Sequence, residues 1–273
     1  MEKVSLIEYL IPYKKVKRKV IYHFSDSHLC EYDASSSIEE KERAIKQTEA
    51  WEGVRKGFCD AYGAPYGDLQ KQPHAVHLNN LIKAASDGDA LVIAGDTLDY
   101  ISDANLRVSD SALGSIKIPY LAVCGNHEPV KDIHDGHEIS KAKADIQTLD
   151  LGDMTIVGIE NSGRAISKVQ LDKLKALLLA DKPLLIVMHV PIMTEGNRDR
   201  LLNSGVYFQL NYDGCPAENL EFIELIKQNS DKIIAVLAGH LHYSDISEIG
   251  NGVMQYVSSQ GVTGNIYRYI IGE

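Results

Sequence analysis

Along this chain one unit recurs: a short run of aliphatic residues without polar alternation that stops at a glycine or a polar cluster. It stands at residues 19–25 (KVIYHFS), 91–94 (LVIA), 119–124 (PYLAVC), 155–160 (TIVGIE), 184–188 (LLIVM) and 233–238 (IIAVLA). Runs of that length and uniformity predict strands buried on both faces, as in the sheet of an α/β protein. Helical periodicity fills several of the intervals. Ser37 with Glu40 forms a capping box that opens a helix to about Phe58, and Leu78, Leu81, Ile82 and Ala85 share one face of a second. Ser167 with Gln170 opens a further helix through about Leu179, residues 219–227 follow the same period, and the segments around Gly250-Asn251-Gly252 read as hairpin strands. The fold class is therefore α/β.

Two stretches depart from this rhythm. Residues 30–75 read as a helical excursion from the core that carries the only tryptophan, Trp51, and then turns repeatedly at Gly63, Pro65, Gly67 and Pro73. Residues 194–217 show little periodicity and hold Arg198, Arg200, Tyr207, Phe208 and Tyr212, which makes them the first candidate for a substrate loop. Other polar residues are expected to be bland. His74 and His77 read as surface, His23 as structural, Arg164 as solvent-facing, and Asp132, His134, Asp135 and His137 as a solvated loop. The whole of residues 1–273 is expected to form one domain.

Composition narrows the class. The chain has 273 residues, 44% hydrophobic and 24% charged, an ordinary globular balance. A formal charge of -10 weighs against binding nucleic acid by bulk electrostatics, so nucleic acid is not the expected partner. Cys30, Cys59, Cys124 and Cys215 are far apart with no CxxC pair, which excludes a zinc knuckle and a dithiol motif. The N-terminal residues lack a signal-peptide pattern, and no run approaches the ~18 apolar residues of a membrane span. A cytoplasmic protein without a membrane partner is expected. The basic cluster at residues 14–19 lies directly before a strand and reads as a solvated edge.

The chemistry gathers where the apolar runs stop. Asp26, His28, Asp96, Asn126, His127, His189, His240 and His242 all fall at strand ends, where open α/β sheets place ligands, and five of the ten histidines are among them. Residues two apart in an extended chain point to the same side, so Asp26 with His28, and His240 with His242, can converge on one ion. Imidazole, carboxylate and one amide oxygen suit borderline divalent metals, and the lack of cysteine argues against a structural zinc. Seven such ligands need two metals. Asp96, with neighbours on both sides, is the natural bridge.

In order along the chain stand DSH, GDTLD, GNHE, MHV and GHLH, and this pattern resembles that of the calcineurin-like metallophosphoesterases over residues 26–242. The resemblance implies a four-layer α/β/β/α sandwich of two mixed sheets flanked by helices, with the metal site at strand carboxyl ends. It implies that Asp26, His28, Asp96 and His242 hold one metal and Asp96, Asn126, His189 and His240 the other, with Mn, Fe or Zn as cofactors. Such enzymes hydrolyse phosphate esters by attack of a metal-bridging hydroxide. His127 would then stabilise the transition state or protonate the leaving oxygen, and Asp99 would orient His127. Tyr100-Ile101 and Cys124 stand where protein phosphatases of this superfamily carry Arg-Gly and Arg, so a small-molecule phosphodiester is the favoured substrate. A phosphomonoesterase, a nuclease on the same core, and a catalytically silent metal-binding scaffold are the alternatives. Oligomeric state is not legible.

Overall fold

Each apolar run is buried on both sides because the chain builds two sheets that face one another and covers each outer face with helices. The computed structural model describes residues 4–61, 63, 66–203 and 208–273; Pro65 and Tyr207 lie outside the described residues. In chain order the elements are β1 (Ser5–Ile11), β2 (Lys19–Phe24), α1 (Ile38–Ala61), α2 (His74–Ala84), β3 (Ala90–Ala94), α3 (Asp103–Leu113), β4 (Tyr120–Val123), β5 (Ile146–Asp150), β6 (Thr155–Ile159), α4 (Lys168–Leu178), β7 (Leu184–Val187), α5 (Arg198–Asn203), α6 (Ala217–Gln228), β8 (Ile233–Ala238), β9 (Asp245–Gly250), β10 (Val253–Val257) and β11 (Asn265–Ile271).

One sheet has the order β1-β11-β2-β3-β4 and the other β5-β6-β7-β8-β10-β9. Both are mixed. Strands β2, β3 and β4 run parallel with β11 antiparallel to β2, while β6, β7, β8 and β10 run parallel between antiparallel edges β5 and β9. The two-residue period of a strand then explains the continuous apolar runs. Val92, Ala94, Leu121 and Val123 of the first sheet meet Ile156, Leu185, Val187 and Leu237 of the second in a dry central layer. Their neighbours Leu91 and Ile93 pack outward on Leu78 and Leu81 of α2 and Leu106 of α3, and Ile186 and Val236 pack on Leu174 of α4 and Phe222 and Ile226 of α6. The result is the α/β/β/α layering. Both anticipated capping boxes form: Ser37 N–H donates to Glu40 at 2.7 Å, and Ser167 N–H to Gln170 Oε1 at 2.7 Å.

Several elements had no strong pattern to announce them. Strands β1 and β5 are edges with alternating or partial exposure, α3 is largely polar in sequence, and α5 occupies part of the stretch read as an irregular loop. The surface expectation for His74 and His77 fails. Both are buried, because α2 turns the face they share with Leu78 and Leu81 toward the core, and His74 meets Trp51 with ring centroids 6.3 Å apart. The excursion between β2 and β3 likewise reaches inward, burying Trp51, Arg55 and Cys59. Arg164 is not solvent-facing: its guanidinium lies 4.1 Å from the Tyr212 ring centroid and bonds Gln209 O. Part of the 131–140 loop is tied down, with His137 Nδ1 2.7 Å from Asp110 Oδ2. Among the described residues no helix is long and apolar enough to cross a membrane.

Candidate metal centre

The carboxyl ends of β2, β3, β4, β7 and β8 open onto one place, and the loops leaving them are stitched together by backbone hydrogen bonds. Asp26 N–H donates to Gly95 O at 2.9 Å and His28 N–H to Asp96 O at 3.0 Å, so the first two motifs run side by side. From the second sheet, Gly239 N–H donates to His189 O at 3.0 Å. Glycines precede Asp96, Asn126 and His240 for a steric reason. A Cβ on Gly125 would lie 2.0 Å from Asp96 Oδ1, and one on Gly239 would lie 2.5 Å from Ser25 Oγ. Five of the strand-end residues, Asp26, His28, Asp96, His240 and His242, adopt left-handed backbone with φ between 44° and 75°. That conformation costs an L-residue roughly 1–2 kcal/mol, and strain of this kind collects where function holds it in place.

The carboxylates are each held by one oxygen and leave the other open. Asp26 Oδ2 accepts from His240 N–H at 3.0 Å and from the Ser25 hydroxyl, whereas Oδ1 is buried without a hydrogen-bond partner. Asp96 Oδ1 accepts from His127 N–H at 2.9 Å, which turns Oδ2 toward His189 Nε2 at 3.2 Å and His28 Nε2 at 3.9 Å. Around Asp26 Oδ1 stand His242 Nε2 at 3.3 Å and His28 Nε2 at 3.7 Å. Around His189 Nε2 stand His240 Nδ1 at 3.0 Å and Asn126 Oδ1 at 3.1 Å. Among the described residues donor atoms form three groups, Asp26/His28/Asp96/His242, Asp96/His189/His240 and His28/Asp99/His127; Asp96 belongs to the first two, and Asn126 lies beside the second. His189 Nδ1–H donates to Ala94 O at 2.8 Å, so Nε2 is the ring nitrogen that faces inward.

The electrostatics favour positive charge here. Burial alone would depress the His28 imidazolium, but Asp26, Asp99 and Asp96 outweigh it and lift it to about 10; His189 rises to about 9 against burial through Asp96 and Asp26. Burial and the neighbouring His189 push His240 down to about 3. Asp26 and Asp96 remain ionised, held well below the usual carboxylate range by their histidines in spite of burial. An orphaned carboxylate oxygen, ring nitrogens facing one another across 3.0–3.2 Å and a strongly negative field fit divalent cations.

His127 stands at the rim of the centre, outside the two clusters that share Asp96 and grouped instead with His28 and Asp99. Its Nδ1–H donates to the Asp99 carbonyl at 2.9 Å, leaving Nε2 for chemistry. The Asp99 carboxylate is shared: Oδ1 lies 3.4 Å from His127 Nδ1, 3.3 Å from His28 Nδ1 and 3.0 Å from the Trp51 indole nitrogen, which donates to it. Trp51 also stacks on His28 with ring centroids 4.1 Å apart. Orientation of His127 therefore comes first from a backbone oxygen, and the Asp99 side chain serves a donor histidine as well.

Three supporting residues were not assigned roles from sequence. Glu128, fully buried, accepts from Thr97 N–H at 3.0 Å and Leu98 N–H at 2.7 Å and so ties the fourth strand end to the GDTLD turn; burial and Asp96 push it up to about 7. Asn161 Oδ1 accepts from the His189 and Val190 backbone N–H groups at 3.0 Å each. Trp51 is the third. Its signal was present, as a lone tryptophan on a well-capped helix, but nothing in the spacing said what it touches.

Over the clusters lies a pocket of about 240 Å³ walled by Phe208, Leu241 and His127; it continues past Asn126 and His127 into a second cavity of about 550 Å³ toward Tyr100 and Lys131. A dimetal phosphatase from Danio rerio superposes with a TM-score of 0.58 at 12% identity, over 90% of this chain and 88% of that one. Purple acid phosphatase PPD1 from yellow lupin seeds gives 0.53 at 14% identity, over 92% of this chain and 45% of that one. These likenesses concern the fold. No curated protein sequence matches the chain. The family model for calcineurin-like phosphoesterases matches residues 19–244, which include every strand-end motif. The chain belongs to the calcineurin-like phosphoesterase family.

Proposed function

We propose that the protein is a dinuclear metal-dependent phosphoesterase that hydrolyses a small phosphate ester, phosphodiesters in preference to monoesters. Asp26, His28, Asp96 and His242 would hold one divalent cation and Asp96, Asn126, His189 and His240 a second, with Mn, Fe or Zn all suited to the donors. When bound, such cations neutralise charge on phosphoryl oxygens and make water a nucleophile near neutral pH. The chain's own residues do the rest. His127, its Nδ1–H held by the Asp99 carbonyl and its imidazolium favoured, against burial, by Asp99 and Asp96, presents Nε2–H to the departing oxygen and supplies that proton to it. Asp96 Oδ1, tied to the His127 backbone, keeps that ring and the shared carboxylate in one frame. Phe208, packed edge-on against His240 with centroids 5.0 Å apart, narrows access of bulk water.

The observation that carries this reading is the sharing of Asp96 by both donor clusters. Preference for a diester is supported by room on either side of His127, one cavity of about 240 Å³ and one of about 550 Å³. Residues near Phe208 and Tyr212, in the 194–217 stretch, would take part in substrate selection. A reducing, cytoplasmic setting fits four cysteines with no disulfide among them. The test is turnover of a chromogenic phosphodiester and a phosphomonoester by protein stripped of metal and then given manganese. Diester turnover that appears only with manganese is expected. Equal diester turnover by the stripped protein would refute metal dependence, and monoester turnover alone would refute the diester preference.

A further inference from the structure

The larger cavity beside His127 has a charge pattern at odds with the rest of this surface. The protein carries a formal charge of -10, and its basic side chains near the cavity are mostly spent on carboxylates: Arg107 on Asp33 at 2.6 Å, Lys143 on Asp135 at 2.8 Å, and Lys141 on Glu138. Arg43 and Lys131 line the cavity itself, and among the described residues neither has a carboxylate within ion-pair distance. Arg43, reaching from α1, lays its guanidinium 3.8 Å from the centroid of the buried Tyr100 ring. Stacking fixes the plane of the group and leaves its in-plane N–H donors for an oxyanion. The carboxylates of the cavity offset this only in part. Asp99 is turned inward to Trp51, His28 and His127, and Asp132 stands at the exposed rim, as Arg43 and Lys131 themselves do. His134 stands at the same rim.

Position gives the charge a meaning. Asn126 and His127 line both cavities, so a phosphoryl group seated over the metal donors has its ester oxygen at His127 and the remainder of that substituent in the larger space. We infer that this cavity binds the departing group of the substrate and selects one that carries its own negative charge, a second phosphate or a carboxylate, through Arg43 and Lys131. The inference rests on the phosphoesterase reading above. In the reaction, the oxygen of water bonds to phosphorus and the P–O bond to the departing group breaks with its electron pair. One proton of that water stays with the phosphate product or solvent, and a proton reaches the departing oxygen through His127. No other reactant is needed. A volume of about 550 Å³ accommodates a departing group as large as a nucleotide.

The experiment compares two methyl phosphodiesters of matched chemistry with the manganese-loaded full chain, one releasing 4-nitrophenol and the other 3-carboxy-4-nitrophenol. The carboxylated ester is expected to show at least about tenfold higher kcat/KM at low salt, the worth of one charge-assisted contact, and the ratio should shrink as ionic strength rises. In the R43Q/K131Q double variant the ratio should approach one, while R43K, which keeps the charge, should retain part of it. Equal kcat/KM for the two esters in the native chain, or a ratio that survives in the double variant, would overturn the assignment of this cavity. A dianionic nucleoside-diphosphate-type ester run alongside identifies phosphate as the preferred anion if it exceeds the carboxylated ester. Turnover of no ester would overturn the phosphoesterase reading and this inference with it.

Discussion

Trp51→Phe is the most informative single change, because it removes one donor and leaves the packing. Phenylalanine keeps an aromatic face against His28, now 4.1 Å from the indole, but deletes the N–H that reaches Asp99 Oδ1 at 3.0 Å. A hydrogen bond to a buried ionised group is worth about 1.5–3 kcal/mol. If most of that is felt in folding, the melting temperature falls by about 3–5 °C for a chain of this size. Asp99 also faces His28 and His127 at 3.3 and 3.4 Å, so its loosening should reach catalysis as well. Each 1.4 kcal/mol that persists in the transition state is a tenfold loss in kcat/KM, and a fall of about 10-fold is expected, mostly in kcat. A second readout is built in. Trp51 is the only tryptophan, so its emission should change as manganese is titrated into the stripped native chain, reporting occupation beside His28 without any turnover. Native emission that ignores manganese, together with a Trp51→Phe enzyme of unchanged kcat and melting temperature, would refute the coupling of α1 to the metal centre.

Other outcomes follow from the same geometry. Asp96→Asn should lose metal from both clusters by elemental analysis, whereas His127→Ala should keep its metal and lose about 10²–10⁴ in kcat; full turnover by the latter would remove His127 from the chemistry. Gly125→Ala places a methyl 2.0 Å from Asp96 Oδ1, and both metal stoichiometry and activity should fall together, with no such effect from alanine at the exposed Gly163, which meets nothing within 4 Å. His77 is buried, and burial, helped by Arg55, holds it down to about 4. Its neutral form is the folded one, so below the unfolded value near 6.5 the unfolded chain binds the extra proton and stability declines until about pH 4. The loss should amount to about 3 kcal/mol, and His77→Leu should flatten denaturant midpoints measured across that interval; an unchanged slope would show that His77 does not titrate on unfolding.

Sequence patterning exposed the strands at the heart of both sheets because each is apolar on two faces, and it exposed the donor residues because each sits where such a run stops. It said little where burial is one-sided. β1 exposes Leu6 and Leu10 at the edge of its sheet, so its alternation looked like an ordinary surface stretch. His74 and His77 lie three apart on a helix, a spacing equally suited to a wet face and a dry one, and only what packs on α2 from distant parts of the chain, α3 and residues 261–263 among them, decides between them. The shared role of Asp99 was out of reach for the same reason. Its partners His28, Trp51 and His127 are separated by 71, 48 and 28 residues, and no local period encodes contacts across such distances.

The sheet order has a consequence for how the protein is made. β11, the last strand in chain order, inserts between β1 and β2, so the first sheet stays split until that strand has been made. The donors are divided in the same way, with Asp26, His28, Asp96 and Asn126 in the early half and His189, His240 and His242 in the late half. A nascent chain therefore exposes half a binding site for much of its synthesis. The site is complete only once the strand ends of both sheets have been made and brought together.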